Sequence, residues 1–417
     1  MPVPVSCPVH LTPLHCRSTY TISRRLFTAL LGAVLLSACQ SEDMKEDLAV
    51  GDREGVFIWS NQEVQFEDLP LVKIGDEPSL VIGDRRGERG HDLYMVGPGI
   101  LTEDGTLIIP DWTSKSLRYF DSSGKLIREV GGKGEGPGEF EDIGRISRSG
   151  GDTISIWDNF LGRHSYFDGE GNFVTSVNYH DEATYYESAG LFSDGSFVLK
   201  ALRYERQGPN LASQYTVFIR VSEAGVLLDS FPAVDGPPHK IGASDGMLAP
   251  PHFSPSVLQA VVNDLLWVGY GAVPTLRAFS RDAQLVAVLH WEDEPVRVRD
   301  EDFEAYRELR ISSANPAYRA GAIEIVDFQD VSEFFPVYDR IVADAGGRLW
   351  VRRYRKPLDE PGSRWWIFDG SGNAIARAEL PDRVRIMEIG EDYILLIIKN
   401  ETDIERVEVR SISFEDF

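Results

Sequence analysis

The amino-acid sequence predicts an all-β fold, a six-bladed β-propeller with four-stranded antiparallel blades, preceded by a cleaved lipoprotein signal and a flexible tether. From about Ile100 onward a unit recurs: a short apolar strand, a Gly/Asp turn, a second apolar strand, a polar loop, an aromatic-ended strand, a second turn and a fourth strand. Four strands per unit is the composition of a propeller blade. Six such units follow one another to the end of the 417-residue chain.

The N-terminus has the order of a secretory signal. Arg24 and Arg25 precede the apolar stretch 26–36, which is too short to span a bilayer stably. Leu36–Cys39 resembles a lipobox, in which the cysteine thiol takes the lipid before cleavage. We therefore expect residues 1–38 to be a signal peptide and Cys39 to be the lipidated first residue of the mature protein. A signal anchor with a chance cysteine is the alternative.

The composition restricts the chemistry of the mature chain. Cys7 and Cys16 are removed with the signal, so no disulfide or thiolate metal site is expected. Removal of residues 1–38 takes away three arginines and no acid, so 42 basic and 66 acidic residues become 39 and 66, a net charge of −27. A nucleic-acid partner is therefore not expected.

A polar acidic run follows Cys39, and residues 39–55 are predicted to form a flexible tether. The propeller is assigned to residues 56–417. The location that follows from these features is an outer-membrane lipoprotein on the periplasmic side or on the cell surface.

The second and third strands of each unit carry the clearest pattern. They are Leu107–Asp111 and Leu117–Asp121, Ile154–Asp158 and Tyr166–Asp168, Phe197–Leu199 and Phe218–Val221, Leu266–Val268 and Leu276–Phe279, Leu349–Val351 and Trp366–Asp369, and Tyr393–Ile398 and Val407–Ile412. Each sheet is apolar on both faces, and only a closed ring buries both faces of every blade. Closure requires a strand from the N-terminal side of the ring, for which Leu80–Gly83 is favoured over Leu71–Ile74.

The segment Gly131–Phe140, followed by a strand and then Trp157 and Asp158, resembles the signature between blades of NHL-like propellers. The chain is similar over residues 70–414 to bacterial six-bladed β-propeller lipoproteins of uncharacterised function. The glycine run has neither the spacing of a dinucleotide fingerprint nor that of a P-loop, so we interpret its glycines as permitting a turn with positive φ.

Enzymatic six-bladed propellers of the lactonase-like and amidating-lyase-like kinds hold a metal in the channel, and a metal-dependent hydrolase or lyase is the alternative function. The histidines after residue 38 have no ligand spacing such as His-x-x-x-His; they are His91, His164, His180, His239, His252 and His290. The aspartates at strand ends are interpreted as turn-forming residues; they are Asp111, Asp121, Asp158, Asp168 and Asp369. No metal, cofactor or catalytic residue is predicted, and an enzymatic role is less favoured than a binding role.

Tryptophans recur in the second strands. Trp157, Trp267 and Trp350 are predicted to occupy equivalent positions and to belong to the core between blades.

Basic and aromatic residues gather in the loops between second and third strands, which all emerge on one face of a propeller. The predicted ligand-binding residues are Trp112, Arg203, Tyr204, Tyr270, Arg353 and Tyr354. Arginine offers a bidentate fork and the aromatic rings a stacking face, so an acidic, glycan or peptide ligand is expected there. Arg203–Tyr204 and Arg353–Tyr354 are predicted to be equivalent pairs that converge on one channel mouth.

The longest insertion runs from about residue 292 to 337. Residues 301–311 are predicted to form a short helix with Phe303, Tyr306 and Leu309 on one side, positioned to cover the same face. The predicted function is a membrane-anchored binding or scaffold module for a peptide, glycan or protein partner.

Overall fold

A computed structural model describes residues 55–84, 87–181, 185–242 and 246–414, all within one compact unit, Glu54–Phe417. The predicted signal peptide, Cys39 and all but the last residue of the predicted tether lie outside the described residues.

The described chain forms a six-bladed β-propeller, as predicted. Its strands assemble into six sheets, and the main strands of each sheet are paired antiparallel in chain order, from an inner strand to an outer one. Blade one comprises Ile100–Leu101, Leu107–Asp111, Ser116–Phe120 and Leu126–Gly131. Blade two comprises Ile143–Arg148, Ile154–Asp158, Arg163–Phe167 and Phe173–Asn178. Blade three comprises Glu187–Leu191, Phe197–Arg206, Leu211–Val221 and Leu227–Ser230, with Val234–Ile241 and Leu248–Ala249 added beyond them.

The last three blades repeat the arrangement. Blade four comprises Val257–Val262, Leu265–Tyr270, Thr275–Phe279 and Leu285–Trp291. Blade five comprises Tyr338–Ala343, Leu349–Arg353, Ser363–Phe368 and Ala374–Leu380. Blade six comprises Val384–Ile389, Tyr393–Lys399 and Glu405–Ser413.

The ring closes through the N-terminal segment. Leu80–Ile82 pairs antiparallel with Val407–Val409, so the favoured closing segment is confirmed. Lys73–Ile74 pairs with the end of the same strand, at Ile412 and Ser413. Both candidate segments therefore lie on the outer edge of blade six.

The same segment continues around the outside of the ring, which the sequence did not predict. Phe57–Asn61 runs parallel to Leu285–Trp291 as a fifth strand of blade four. A 3₁₀ turn, Phe66–Asp68, follows, and Leu71 bridges to Arg377 on the outer strand of blade five. Residues 57–82, here called the belt, thus contact blades four, five and six in order.

The core lies between the blades. In the described residues there are six buried apolar clusters, and each joins two neighbouring blades, including blade six to blade one. Ile82 and Val407 of blade six, for example, share a cluster with Leu107 and Phe120 of blade one. A closed ring is what leaves no blade with an uncovered apolar face.

The tryptophans of the second strands are buried in this core, as predicted, but their equivalence is wrong for Trp157. In blades two, four and five, a phenylalanine ends the third strand and pairs with a second-strand residue; the pairs are Phe167 with Ile154, Phe279 with Leu266, and Phe368 with Leu349. Trp267 and Trp350 follow that residue directly, whereas Trp157 follows it by three positions. Trp157 therefore lies closer to the end of its strand, next to the loop that leads to the third strand.

The aspartates at strand ends form turns, as interpreted from the sequence. Asp121 Oδ1 accepts hydrogen bonds from the backbone N–H groups of Ser123 and Lys125 at 2.9 and 3.1 Å. Asp369 makes the equivalent bonds in blade five. An aspartate that accepts these N–H groups fixes the turn between the third and outer strands.

The glycine run forms the connection from blade one to blade two. Gly131, Gly132 and Gly138 have positive φ values of 90, 136 and 77°. Arg163 donates from its two terminal nitrogens to the carbonyl oxygens of residues 135, 136 and 139 at 2.7 to 3.1 Å. The run is therefore a turn braced by Arg163, which is 9% exposed.

The insertion between blades four and five contains helix α1, Asp300–Ser312, the 3₁₀ turn Pro316–Tyr318 and helix α2, Arg319–Phe328. Phe303 and Tyr306 of α1 lie against His252 with ring centroids 5.5 and 5.1 Å apart. Leu309 is 65% exposed, so the expectation that it shares the packed side is wrong. Within the described ranges, no helix combines the length and the apolar character required for a membrane span.

Candidate functional site

The loops between second and third strands emerge on one face of the propeller, here called the loop face. Because strand direction alternates, the connections from each outer strand to the next inner strand emerge on the same face. The insertion 292–337 and the blade-five loop 354–362 are therefore neighbours there.

A groove of about 440 Å³ lies where these two segments meet. The start and end of the insertion form one wall, and the blade-five loop with the adjoining strand ends forms the other. Among the lining residues are Asp293, Glu294, Val296, Phe335, Pro336, Val337, Arg353, Tyr354, Arg355, Lys356, Asp359, Glu360, Arg364 and Glu379.

Two predicted site residues, Arg353 and Tyr354, line this groove. The Arg353 guanidinium donates two hydrogen bonds of 3.1 Å to the carboxylate of Asp293 and lies 4.9 Å from the ring centroid of Phe66 in the belt. The Tyr354 ring stacks on Phe335 at 5.8 Å, and burial raises the pKa of its phenol to about 12. The groove therefore has a fixed ion pair and a neutral aromatic wall.

Arg203 and Tyr204 lie elsewhere, in the long second strand of blade three. Arg203 contacts the Tyr186 hydroxyl at 3.4 Å and the Asp181 carboxylate at 3.7 Å, between blades two and three. Tyr204 lies edge-on to His239 at 5.1 Å. Successive strand residues point to opposite faces, so the pair does not act as one patch.

The expected convergence of Arg203 and Arg353 is wrong. Phe197 of blade three and Leu349 of blade five are equivalent second-strand positions, since each pairs with the last residue of the third strand. Arg203 is six residues beyond Phe197, and Arg353 is four beyond Leu349. The two arginines lie at different blade junctions and share no partner in the described residues.

The other two predicted residues lie on the loop face but do not line the groove. Tyr270 is partly buried against the core between blades three and four, and burial raises its pKa to about 12. Trp112 lies beside Arg385 of blade six, 5.8 Å from guanidinium carbon to ring centroid. Trp112 is therefore placed at the inner strands, where the channel opens.

A group of arginines that was not predicted from the sequence lies at that opening. Arg340 and Arg385 are on the inner strands of blades five and six, and Arg352 is paired in register with Arg340. Burial lowers the pKa of Arg340 to about 10, and the charges of Arg352 and Arg385 add to the effect. An available signal was the presence of arginines inside otherwise apolar inner-strand segments.

Arg145 is a further arginine on an inner strand, that of blade two. Its surface is exposed, yet desolvation by the surrounding protein lowers its pKa. The two facts agree if the side chain projects into a water-accessible channel instead of the outer surface.

The part of the chain that the structure describes contains no group of three or more His, Cys, Asp or Glu side chains placed to hold a metal ion. His164 is enclosed by aromatic rings, and His239 and His252 bond backbone carbonyl groups.

Comparison with known proteins gives the class of fold. Residues 98–249 match a family described as a 6-bladed beta-propeller, which agrees with the fold of the whole described chain and with the resemblance in the sequence. No curated protein matches the sequence significantly.

Several solved structures are similar at low identity. A protein of Bacteroides fragilis that is called exported has 13% identity and a TM-score of 0.46, over 87% of this chain and 100% of that chain. A member of the DUF4221 family from Bacteroides vulgatus has 11% identity and a TM-score of 0.49, over 83% and 99%. A gluconolactonase from Xanthomonas campestris has 11% identity and a TM-score of 0.41, over 83% and 98%. Likeness at this level implies neither a shared activity nor a shared ligand.

Proposed function

We propose that the protein is an exported, membrane-anchored binding module that presents its loop face to a peptide, glycan or protein partner in the cell envelope. The observation that carries the proposal is the groove between the insertion and the blade-five loop. It is concave, partly apolar and lined by side chains whose positions are fixed by partners within the protein.

The chemistry of the groove favours recognition over reaction. Asp293 holds Arg353 through a two-bond pair, and Phe335 holds the ring of Tyr354. Side chains that are ordered before binding lose little conformational entropy when a partner docks. The aromatic wall and the charged side chains of the lining match the usual composition of a binding surface.

The membrane anchor rests on the lipobox-like Leu36–Cys39 and on the polar segment that follows it. A triacylated cysteine buries enough methylene groups, at about 0.8 kcal/mol each, to hold a protein durably on a membrane. The proposed location is the outer membrane, on the periplasmic side or on the cell surface.

Site-specific photo-crosslinking in the native cells tests the groove. Leu358, in the blade-five loop, is 54% exposed and is replaced by a photoreactive amino acid. Val226 is the matched control, because it is 58% exposed and lies in the turn between the third and outer strands of blade three, on the opposite face.

The expected result is an adduct at position 358 but not at 226, and its loss when Tyr354→Ala is added. Equal labelling at both positions, or an adduct at 358 that is indifferent to Tyr354→Ala, would refute the assignment of the groove. Metal analysis of the protein purified without chelator tests the hydrolase or lyase alternative, which requires stoichiometric metal.

A further inference from the structure

The arginines at the channel opening have unused hydrogen-bonding capacity. The Arg340 guanidinium donates one hydrogen bond, of 3.0 Å, to the carbonyl oxygen of Ile386. The Arg385 guanidinium donates one, of 2.8 Å, to the carbonyl oxygen of Val96. A guanidinium carries five N–H donors, so most of the donors on both side chains remain available.

The two arginines lie on neighbouring inner strands, and the charge of Arg385 acts on Arg340. Arg340 crosses from blade five to the backbone of Ile386, the residue that directly follows Arg385 on blade six. The ring of Trp112 lies beside Arg385 and forms a wall on the blade-one side. The pair is thus held by a backbone carbonyl of blade six and by a backbone carbonyl and an aromatic ring on the blade-one side.

The acidic residues around the pair are engaged with other cations. Asp339 binds Arg352 through contacts of 2.6 and 3.0 Å. Glu405 pairs with Lys399 at 3.2 Å and accepts the backbone N–H of Val96 at 2.7 Å.

Further along the inner strand of blade six, Glu388 pairs with Arg148 and accepts a hydrogen bond from the hydroxyl of Tyr393. Across the described ranges, neither Arg340 nor Arg385 has a carboxylate within ion-pair distance.

This local excess of positive charge occurs in a chain with a formal net charge of −24. Burial lowers the pKa of both Arg340 and Arg385, and the charges of Arg352 and Arg385 lower that of Arg340 further. Arginine side chains stay cationic at neutral pH, and the pKa of Arg340 is still about 10. A bound anion would remove the repulsion and use the free donors.

We propose that Arg340 and Arg385 together bind an oxyanion, the carboxylate, sulfate or phosphate group of a ligand, at the mouth of the propeller channel. The planar fork of each guanidinium matches two oxygens of such a group. This site is separate from the groove and adds a ligand chemistry that the proposed function does not specify.

Isothermal titration calorimetry on the full chain in detergent solution tests the site. Sodium sulfate, sodium phosphate and sodium acetate are titrated separately at ionic strength held constant with sodium chloride. The variants are the double substitution Arg340→Met/Arg385→Met and the control Arg383→Met. Arg383 is an exposed arginine two residues before Arg385 and bonds Asn400, so the control also removes a positive charge close to the mouth.

The expected result is saturable binding of at least one anion by the wild type, weakened at least about tenfold in the double variant and unchanged in Arg383→Met. The anion that binds most tightly identifies the group. No saturable binding of any of the three, or equal binding by the double variant, would overturn the proposal.

If the double variant does not fold, the same titrations are made with Arg385→Lys. It keeps the charge and loses the fork, so weaker binding is expected, and undiminished binding contradicts a bidentate site. The crosslink at Leu358 involves neither arginine, so this proposal and the groove proposal fail separately.

Discussion

His164 provides a sharp test of how tightly the blades pack. It lies in the third strand of blade two, is 1% exposed, and has neither ring nitrogen bonded to any partner. Its ring centroid is 4.4 Å from that of Phe197 and 5.0 Å from that of Trp157. Burial lowers the pKa of this imidazole from 6.5 to about 3.

The lowered pKa makes folding depend on pH. Above pH 6.5 the histidine is neutral in both the folded and the unfolded chain, so it has no effect. As the pH falls from 6.5 toward 3, the unfolded chain binds a proton that the folded chain excludes. Stability is therefore lost on acidification, at about 1.4 kcal/mol per pH unit, and the loss reaches about 2.7 kcal/mol at pH 4.5.

The measurement is urea unfolding at pH 7.5 and pH 4.5 for the wild type, His164→Leu and His180→Leu. His180 is exposed and serves as the control. The wild type should lose about 2.7 kcal/mol more than His164→Leu between the two pH values, and His180→Leu should behave like the wild type. Carboxylate effects and the net charge are common to all three proteins and cancel. A wild type that loses no more than His164→Leu would show that His164 takes up its proton in the folded protein.

Three further predictions concern the anchor, the ring and the belt. Cys39→Ala should release the protein from the membrane fraction without changing its melting temperature, because the cysteine precedes the first described strand; unchanged fractionation would contradict the lipobox. Truncation from Arg385 should abolish cooperative unfolding in calorimetry, because it removes one side of two interblade clusters and the partner of Leu80–Ile82; a soluble, cooperatively melting truncation would argue for separate domains. Asn61→Ala should lower the free energy of unfolding by about 2 kcal/mol in urea titration, because the buried Asn61 side chain bonds the Gly372 carbonyl and the Ala374 N–H at 2.8 Å each; an unchanged midpoint would show that the belt does not brace blade five.

The repeat pattern in the sequence was sufficient to predict the six-bladed fold. Apolar strands, Asp or Gly turns and aromatic strand ends are local signals, because a blade is built from neighbours in the chain. Even the closing strand at Leu80 was predictable, since a ring of antiparallel blades requires an edge partner from the other end. The turns at Asp121 and Asp369 follow from side-chain chemistry over four residues.

Local signals failed where the answer depends on register. Trp157 was aligned with Trp267 and Trp350, and Arg203 with Arg353, because these positions carry the same residue types in similar strands. A shift of two residues along a strand moves a side chain toward the end of the blade without changing its face. Only the pairing with the third strand fixes that distance.

The groove and the arginine pair were beyond sequence reasoning for a different reason. Arg353 was singled out, but its partners Asp293 and Phe66 come from the insertion and from the belt, far away in the chain. Arg340 and Arg385 are visible in the sequence as arginines inside apolar strand segments, but only the ring shows that their two inner strands are neighbours.

By itself, the sequence determined the strands, the turns and the number of blades, because each depends on residues close together in the chain. The tertiary structure decided the path of the belt, the register that separates Arg203 from Arg353, and the unpaired charge at the channel mouth. These features depend on which side chains from distant segments meet, and no local pattern encodes those distances.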